Sequence, residues 1–398
     1  MYKELTLRSG SRIASVLVFW LMVGGCREGR VPQPEIWGGS VDTLVTGQIV
    51  VRNPGTGAWQ PGEEWRVVEE FRIGSVEGEG ADVFGGIFSF AVDRSHRLWV
   101  LDGRAQEVRI FGADGAHLRT VGGRGGGPGE LSQAVDVDVD GDGTVWITDP
   151  GNARISLFDP EGEFQRTVPL TGACLEIPWP GGLDESGHYY ALASPECTRL
   201  VRFGPDHTPL DTLQPPRDVR ARETFVHRTP GGGVIEAEIP FQGGLYWRLS
   251  GRGNFWGLLT DEYRLFEMNA AGDTLRTVIR EFTPARVTTA DRRMVEEELE
   301  WFTQQGGRID VSRVAKPPVL TFFHDDEENL WVERFDDIEI MGRQYDVFDA
   351  SGRFLGEIRL PFALSRFPEP VVSDGTLVGV TEDDLGVQYI VKARVLKP

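Results

Sequence analysis

Three stretches of this chain place residue types at spacings that chemistry could use. Asp138-x-Asp140-x-Asp142-Gly143, with Asp149 at the twelfth position, has the alternating carboxylates and turn glycine of a calcium loop. A calcium loop ordinarily ends on a bidentate Glu and sits between helices, so these residues read better as a hairpin turn, with calcium the lesser alternative. Gly122–Gly129 has the glycine density of a phosphate cradle. It lacks the G-x-G-x-x-G spacing, no Lys-Ser/Thr follows, and a strand comes next, so it reads as a connection. His324-Asp-Asp-Glu-Glu328 offers metal-ligating types within a hairpin, where a solvated, charged turn is expected. No G-x-S-x-G or H-E-x-x-H occurs and the six His are scattered singly. No catalytic residue, metal site or cofactor is therefore assigned.

The elements that would position such residues follow from a repeat. Trp99 and Trp146, Asp102 and Asp149, Phe111 and Phe158, and Gly115 and Gly162 are each 47 residues apart. A period in the forties, with short alternating strands between turn glycines, marks the blades of a β-propeller. Blade one has strands near Ala91–Val92, Leu98–Leu101, Val108–Phe111 and Leu118–Val121, and blade two repeats them. The same grammar recurs at His188–Ala191, Leu200–Phe203 and Leu210–Leu213. It recurs again from Leu245 to Val278 and from Val319 to Ile358. The C-terminus supplies only three strands, Val371–Val372, Leu377–Thr381 and Tyr389–Val395, while Trp65–Ile73 is a spare strand at the start. Pairing the two removes the open edges. The expected fold is all-β: six four-stranded antiparallel blades, the N-terminal strand closing the last, with a small helical insertion.

Two segments interrupt the repeat, Gln214–Pro240 and Phe282–Pro318, both between an outermost strand and the next innermost one. Such connections share one face of a propeller, so both insertions are expected there. Thr288-Thr-Ala-Asp291 resembles a capping box, Met294, Val295, Leu299 and Phe302 line one side, and Gly306-Gly307 stops the helix. This helix, 290–305, is read equally as a lid and as a structural cover. Cys174 and Cys197 fall in loops of the same face and are expected to pair. Residues leaving the second strand of a blade onto that face are Asp102, Asp149, Asp261 and Glu333, with Arg104, Arg124 and Arg154 nearby. These seven are the candidate ligand-binding residues; bracing of neighbouring blades is the competing role, above all for Asp149 and Arg154.

Asp149-Pro-Gly-Asn152-Ala-Arg154-Ile155 with Phe158 resembles the NHL repeat. Val121–Leu131 resembles the interblade segment of bacterial six-bladed β-propeller lipoproteins. The resemblance covers residues 60–397, most closely in blades one and two, and implies a fold and an address without an activity. The address agrees with the N-terminus. Lys3, Arg8 and Arg12 precede the 11-residue apolar run Ile13–Val23, too short to span a bilayer, and Val23-Gly-Gly-Cys26 is similar to a lipobox. Residues 1–25 then form a lipoprotein signal, 26–60 the lipidated Cys26 and a linker, and 61–398 the propeller. Arg27 after the Cys favours the outer membrane.

The net charge is −20, and the signal contributes +2 (Lys3, Arg8 and Arg12 against Glu4), leaving about −22 on the mature chain. That excludes nucleic acid as a partner and leaves membrane contact to the anchor alone. The expectation is a monomeric, exported propeller acting as a recognition or scaffold module for a protein, peptide or small-molecule ligand. The alternative is a metal-dependent hydrolase or lyase with its site in the central channel.

Overall fold

A computed structural model describes residues 37–398 apart from 171, 173, 194, 195, 284, 313 and 336–341. The signal sequence and Cys26 lie outside the described residues. The turn joining the first two strands has the same construction in blades one, two, three and five. In blade one Asp93 Oδ1 accepts the amides of Ser95 and Arg97, both at 2.9 Å, and Oδ2 accepts Trp99 Nε1 at 3.1 Å. Asp140 does the same for Asp142, Thr144 and Trp146. Asp184 and Asp325 repeat it, bonding the ring of Tyr190 or Trp331 six positions on, and Asp383 builds the same turn with Tyr389 between the second and third strands of blade six. An aspartate here supplies the acceptors that the turn amides need and aims an aromatic ring between blades. The residue three after the aspartate is left-handed, glycine at Gly143, Gly187 and Gly386 but His96 and Glu328 elsewhere.

Six four-stranded arrays result. Blade one is Ile87–Val92, Leu98–Asp102, Glu107–Phe111 and His117–Gly122. Blade two is Asp136–Val139, Val145–Asp149, Arg154–Phe158 and Phe164–Pro169. Blade three is Gly182–Leu183, Tyr189–Leu192, Leu200–Phe203 and Pro209–Leu213. Blade four is Leu245–Leu249, Phe255–Leu259, Arg264–Met268 and Thr274–Arg280. Blade five is Val319–His324, Leu330–Arg334, Gln344–Phe348 and Phe354–Arg359. Blade six is Val371–Ser373, Thr376–Glu382 and Gln388–Leu396, closed by Arg66–Ile73 running antiparallel to the last of these.

Second strands are buried along their length, because each is covered on both faces; Leu98–Asp102 is buried at every position. Its alternate residues serve different neighbours. Leu98 and Val100 pack with Val378 and Ile390 of blade six, and Trp99 and Leu101 pack with Val137 and Val145 of blade two. Each of the six interblade seams has its own apolar cluster among the described residues. The ring is thus held by face-to-face burial and closed by one strand from the far end of the chain.

Residues 40–53, read from sequence as linker, are a hairpin. Ile49–Asn53 adds in parallel to the outer strand of blade four, and Ser40–Thr43 pairs with it. Val51 is fully buried there, and Asn53 explains the fixed register. Its Oδ1 accepts Trp37 Nε1 at 2.9 Å and Phe354 N at 2.7 Å, while Nδ2 donates to Gly352 O at 2.9 Å.

The two insertions build one cap. Thr224–Arg228 and Val234–Glu238 pair as a hairpin in the first. Helices α1 (Thr289–Glu298) and α2 (Glu300–Gln304) form the second, and the capping box is present with both bonds between Thr288 and Asp291. Val295, Leu299 and Phe302 are buried against Ala237, Phe225 and Ile235 of the hairpin. The break at Leu299 and the reciprocal packing of the insertions were not visible as sequence periodicity. Asp291 also meets Lys316 at 3.0 Å, both side chains fully enclosed, which ties the helix to the strand entering blade five. Cys174 and Cys197 are disulfide-bonded. No helix of the described residues is long and apolar enough to cross a membrane.

Candidate functional site

The seven candidates named from sequence lie on the expected face, and the structure gives most of them internal duties. Asp102 accepts the amides of Gly85, Arg104 and Ala105 and pairs with Arg109 at 3.2 Å. Asp149 accepts Ser132 N, Gln133 N and Asn152 Nδ2. Arg154 donates to the carbonyls of Gly126, Gly127 and Glu130, and so clamps the glycine-rich connection. Arg124 holds Arg104 O. Asp261 pairs with Arg220, while Glu333 accepts Gly342 N and pairs with Arg366. Arg104 lines a recess of about 480 Å³ over blades six and one. None of the seven lines the axial cavity, and they are not brought together.

What converges on the axis is the innermost strand of each blade. Two adjoining recesses, of about 500 and 430 Å³, share Trp179, Arg248, Leu249, Phe367 and Glu369 among their walls. The larger opens among loops of the insertion-bearing face and has Trp179, Tyr246, Trp247 and Phe367 as aromatic walls, with prolines between them. The other descends past Phe88, Asp136, Asp138 and His324 to Glu185, Asp325, Asp326 and Glu328 at the opposite turns. Among the described residues, seven carboxylates and a single arginine line this deeper part.

The channel carboxylates are crowded. Asp136 accepts Ser89 Oγ at 2.7 Å and Asp138 accepts Leu183 N at 3.1 Å. Removal from bulk water pushes Asp136 up to about 6, and Asp138 is raised by the same loss of water and then by the charge of Asp136. The two carboxyls are coupled, so ionising one opposes ionising the other. Glu369 is raised by desolvation against the opposing pull of Arg248, whose Nε lies 2.8 Å away; its side chain is still 37% exposed, so it faces the channel rather than the core. Arg248 also covers the Phe367 ring at 5.4 Å.

The charged hairpin turn expected at 324–328 is present, with Asp326 and Glu327 exposed, but His324 itself belongs to the preceding strand. It closes the innermost strand of blade five against Trp256 and Phe322, and burial with Arg248 nearby lowers its pKa to about 3. The imidazole is neutral, and its buried Nε2 has no hydrogen-bond partner. Asp140 of the calcium-like run is spent on its turn, while Asp138 of the same run points to the axis. Among the described residues no three His, Cys, Asp or Glu side chains are placed to hold a metal.

The sequence reading missed the axial set. Its signal was the i, i+2 repetition Asp136-x-Asp138 at the start of a blade, since alternate residues of an innermost strand share a side.

The strand order and closure define a six-bladed β-propeller with an axial channel. No family model and no curated protein matches the chain. Among solved structures it is similar to a member of the DUF4221 family from Bacteroides vulgatus, with 9% identity and a TM-score of 0.49, covering 84% of this chain and 99% of that one. It is also similar to a catalytically inactive virginiamycin B lyase from Staphylococcus aureus, solved with quinupristin. There the identity is 12% and the TM-score 0.45, over 84% and 100% of the two chains. A gluconolactonase from Xanthomonas campestris aligns at 14% identity and a TM-score of 0.36, over 77% and 85%. At these identities the likeness is one of chain course and says nothing of chemistry.

Proposed function

We propose that this is an exported, lipid-anchored recognition propeller that takes a small molecule, or the end of a peptide, into its axial channel from the insertion-bearing face. The observation that carries the reading is the roughly 500 Å³ recess walled by Trp179, Tyr246, Trp247 and Phe367 above the carboxylate-lined channel. That size and mixture suit a ligand held by apolar contact and oriented by a few polar groups. Export and anchoring rest on the signal and Cys26, and a disulfide at Cys174–Cys197 suits an oxidising compartment. The acidic surface argues against nucleic acid and for a chain that stays monomeric.

The test is a thermal-shift screen of small molecules and short peptides on mature protein, repeated on Tyr246→Ala and Phe367→Ala. Both residues are more than a third exposed, so their truncation spares the core. Stabilising compounds should lose their effect in both variants, with unchanged circular dichroism. Compounds that stabilise wild type and variants equally, or a screen without hits, would overturn the reading. The alternative of a hydrolase or lyase draws on the Asp136–Asp138 pair as an acid and base of separated affinity; stoichiometric calcium or zinc in purified protein would favour it.

A further inference from the structure

We infer that the channel selects a cationic ligand, an amine whose apolar or aromatic body lies against Trp179 and Phe367 while its ammonium group reaches the Asp136–Asp138 pair. The inference rests on the proposed role of the channel and names what that channel takes. Trp179, Phe367, Asp136, Asp138 and Glu369 wall one continuous recess, so one small molecule can meet rings and carboxylates together. Aromatic faces attract an ammonium group through their quadrupole, more strongly once water is displaced. A carboxylate-lined cleft between low-dielectric walls focuses its field and concentrates counter-charge.

Two further observations set the sign. The one arginine of the deeper recess among the described residues, Arg248, already lies 2.8 Å from Glu369, so an incoming anion would have to displace that partner. His324 adds no positive charge, because burial keeps its imidazole neutral. An anionic ligand would meet the carboxylates and gain no cationic partner from the imidazole.

Benzylamine, benzyl alcohol and benzoate have one shape and differ in charge, and their binding to the mature protein can be measured by ligand-detected NMR at high ionic strength. Salt suppresses the general attraction of an acidic surface for cations. Benzylamine should bind about tenfold or more tightly than benzyl alcohol, and benzoate more weakly than either. The Asp136→Asn/Asp138→Asn double variant should weaken benzylamine about tenfold and leave benzyl alcohol unchanged. Glu369→Gln, at a partly open side chain, supplies an independent variant should the double one fail to fold, and should weaken benzylamine in the same sense. Equal or tighter binding of benzyl alcohol or benzoate, or benzylamine binding indifferent to the folded variants, would overturn the charge assignment and leave the channel as a ligand site. Failure of all three compounds to bind would overturn both.

Discussion

Ring closure depends on a strand that enters from the other end of the chain, and two of its side chains give a measurable consequence. Ile73 is 5% exposed and packs with Ile87, Phe90 and Val378 in the seam between blades six and one. Val67 is 8% exposed and packs with Phe323, Trp331 and Val395 in the seam between blades five and six. Truncating a well-packed Ile to Ala costs about 3 kcal/mol once the cavity is included, and Val to Ala about 2 kcal/mol. The partners across the strand pair, Ile390 and Val395, are five positions apart, roughly 17 Å along the strand, so the losses should add to about 5 kcal/mol. Urea unfolding of Ile73→Ala, Val67→Ala and the double variant, in a Cys26→Ser background, should show one transition with unchanged slope and falling midpoints. Deleting residues 66–73 should prevent folding, because the Gln388–Leu396 edge and two seams open together. A double variant that loses less than about 1 kcal/mol, or an early transition confined to part of the signal, would refute closure by this strand.

Cys26→Ser should move the protein from the membrane to the soluble fraction, since the apolar run Ile13–Val23 is too short to hold it; retention at wild-type level in fractionation would remove the anchor. Reduction of the Cys174–Cys197 bond, which closes 23 residues, should cost about 3 kcal/mol on the chain-entropy model, read as a shift in urea midpoint against Cys174→Ser/Cys197→Ser. Asp136 is raised in the folded protein from the ordinary aspartate range to about 6, so it holds its proton longer folded than unfolded. Its contribution is complete below about pH 4 and lost as pH rises through 6. Asp136→Asn should therefore gain stability over wild type on going from pH 4 to pH 7, and a constant difference across that range would contradict the burial argument.

Much of the architecture was legible because propeller blades repeat. The 47-residue offset, the three-stranded C-terminus and the unassigned strand at Trp65–Ile73 sufficed to close six blades. The capping box at Thr288 and the face shared by Cys174 and Cys197 were local enough to read as well. The hairpin at 40–53 was not, because its strands are short, its first strand is wholly exposed, and its place beside blade four is fixed by Asn53 reaching Gly352 some 300 residues away. The channel was hidden for a related reason. Asp136, Arg248, His324 and Glu369 belong to four different blades, and each is unremarked in its own repeat. Residues at blade ends drew notice because they recur, yet recurrence in a repeat marks what every blade needs, and Asp102 and Asp149 are bound to backbone amides in the same way.

The central claim is that ligand enters the axial channel at the insertion-bearing face. A crystal structure of the mature protein soaked with the most stabilising compound of the screen tests it most directly. Density should lie between Trp179 and Phe367, reaching toward Asp136 and Asp138, with Tyr246 and Trp247 at its edge. Density on the cap hairpin, on the outer strands or over the Arg104 recess, with an empty channel, would contradict the account.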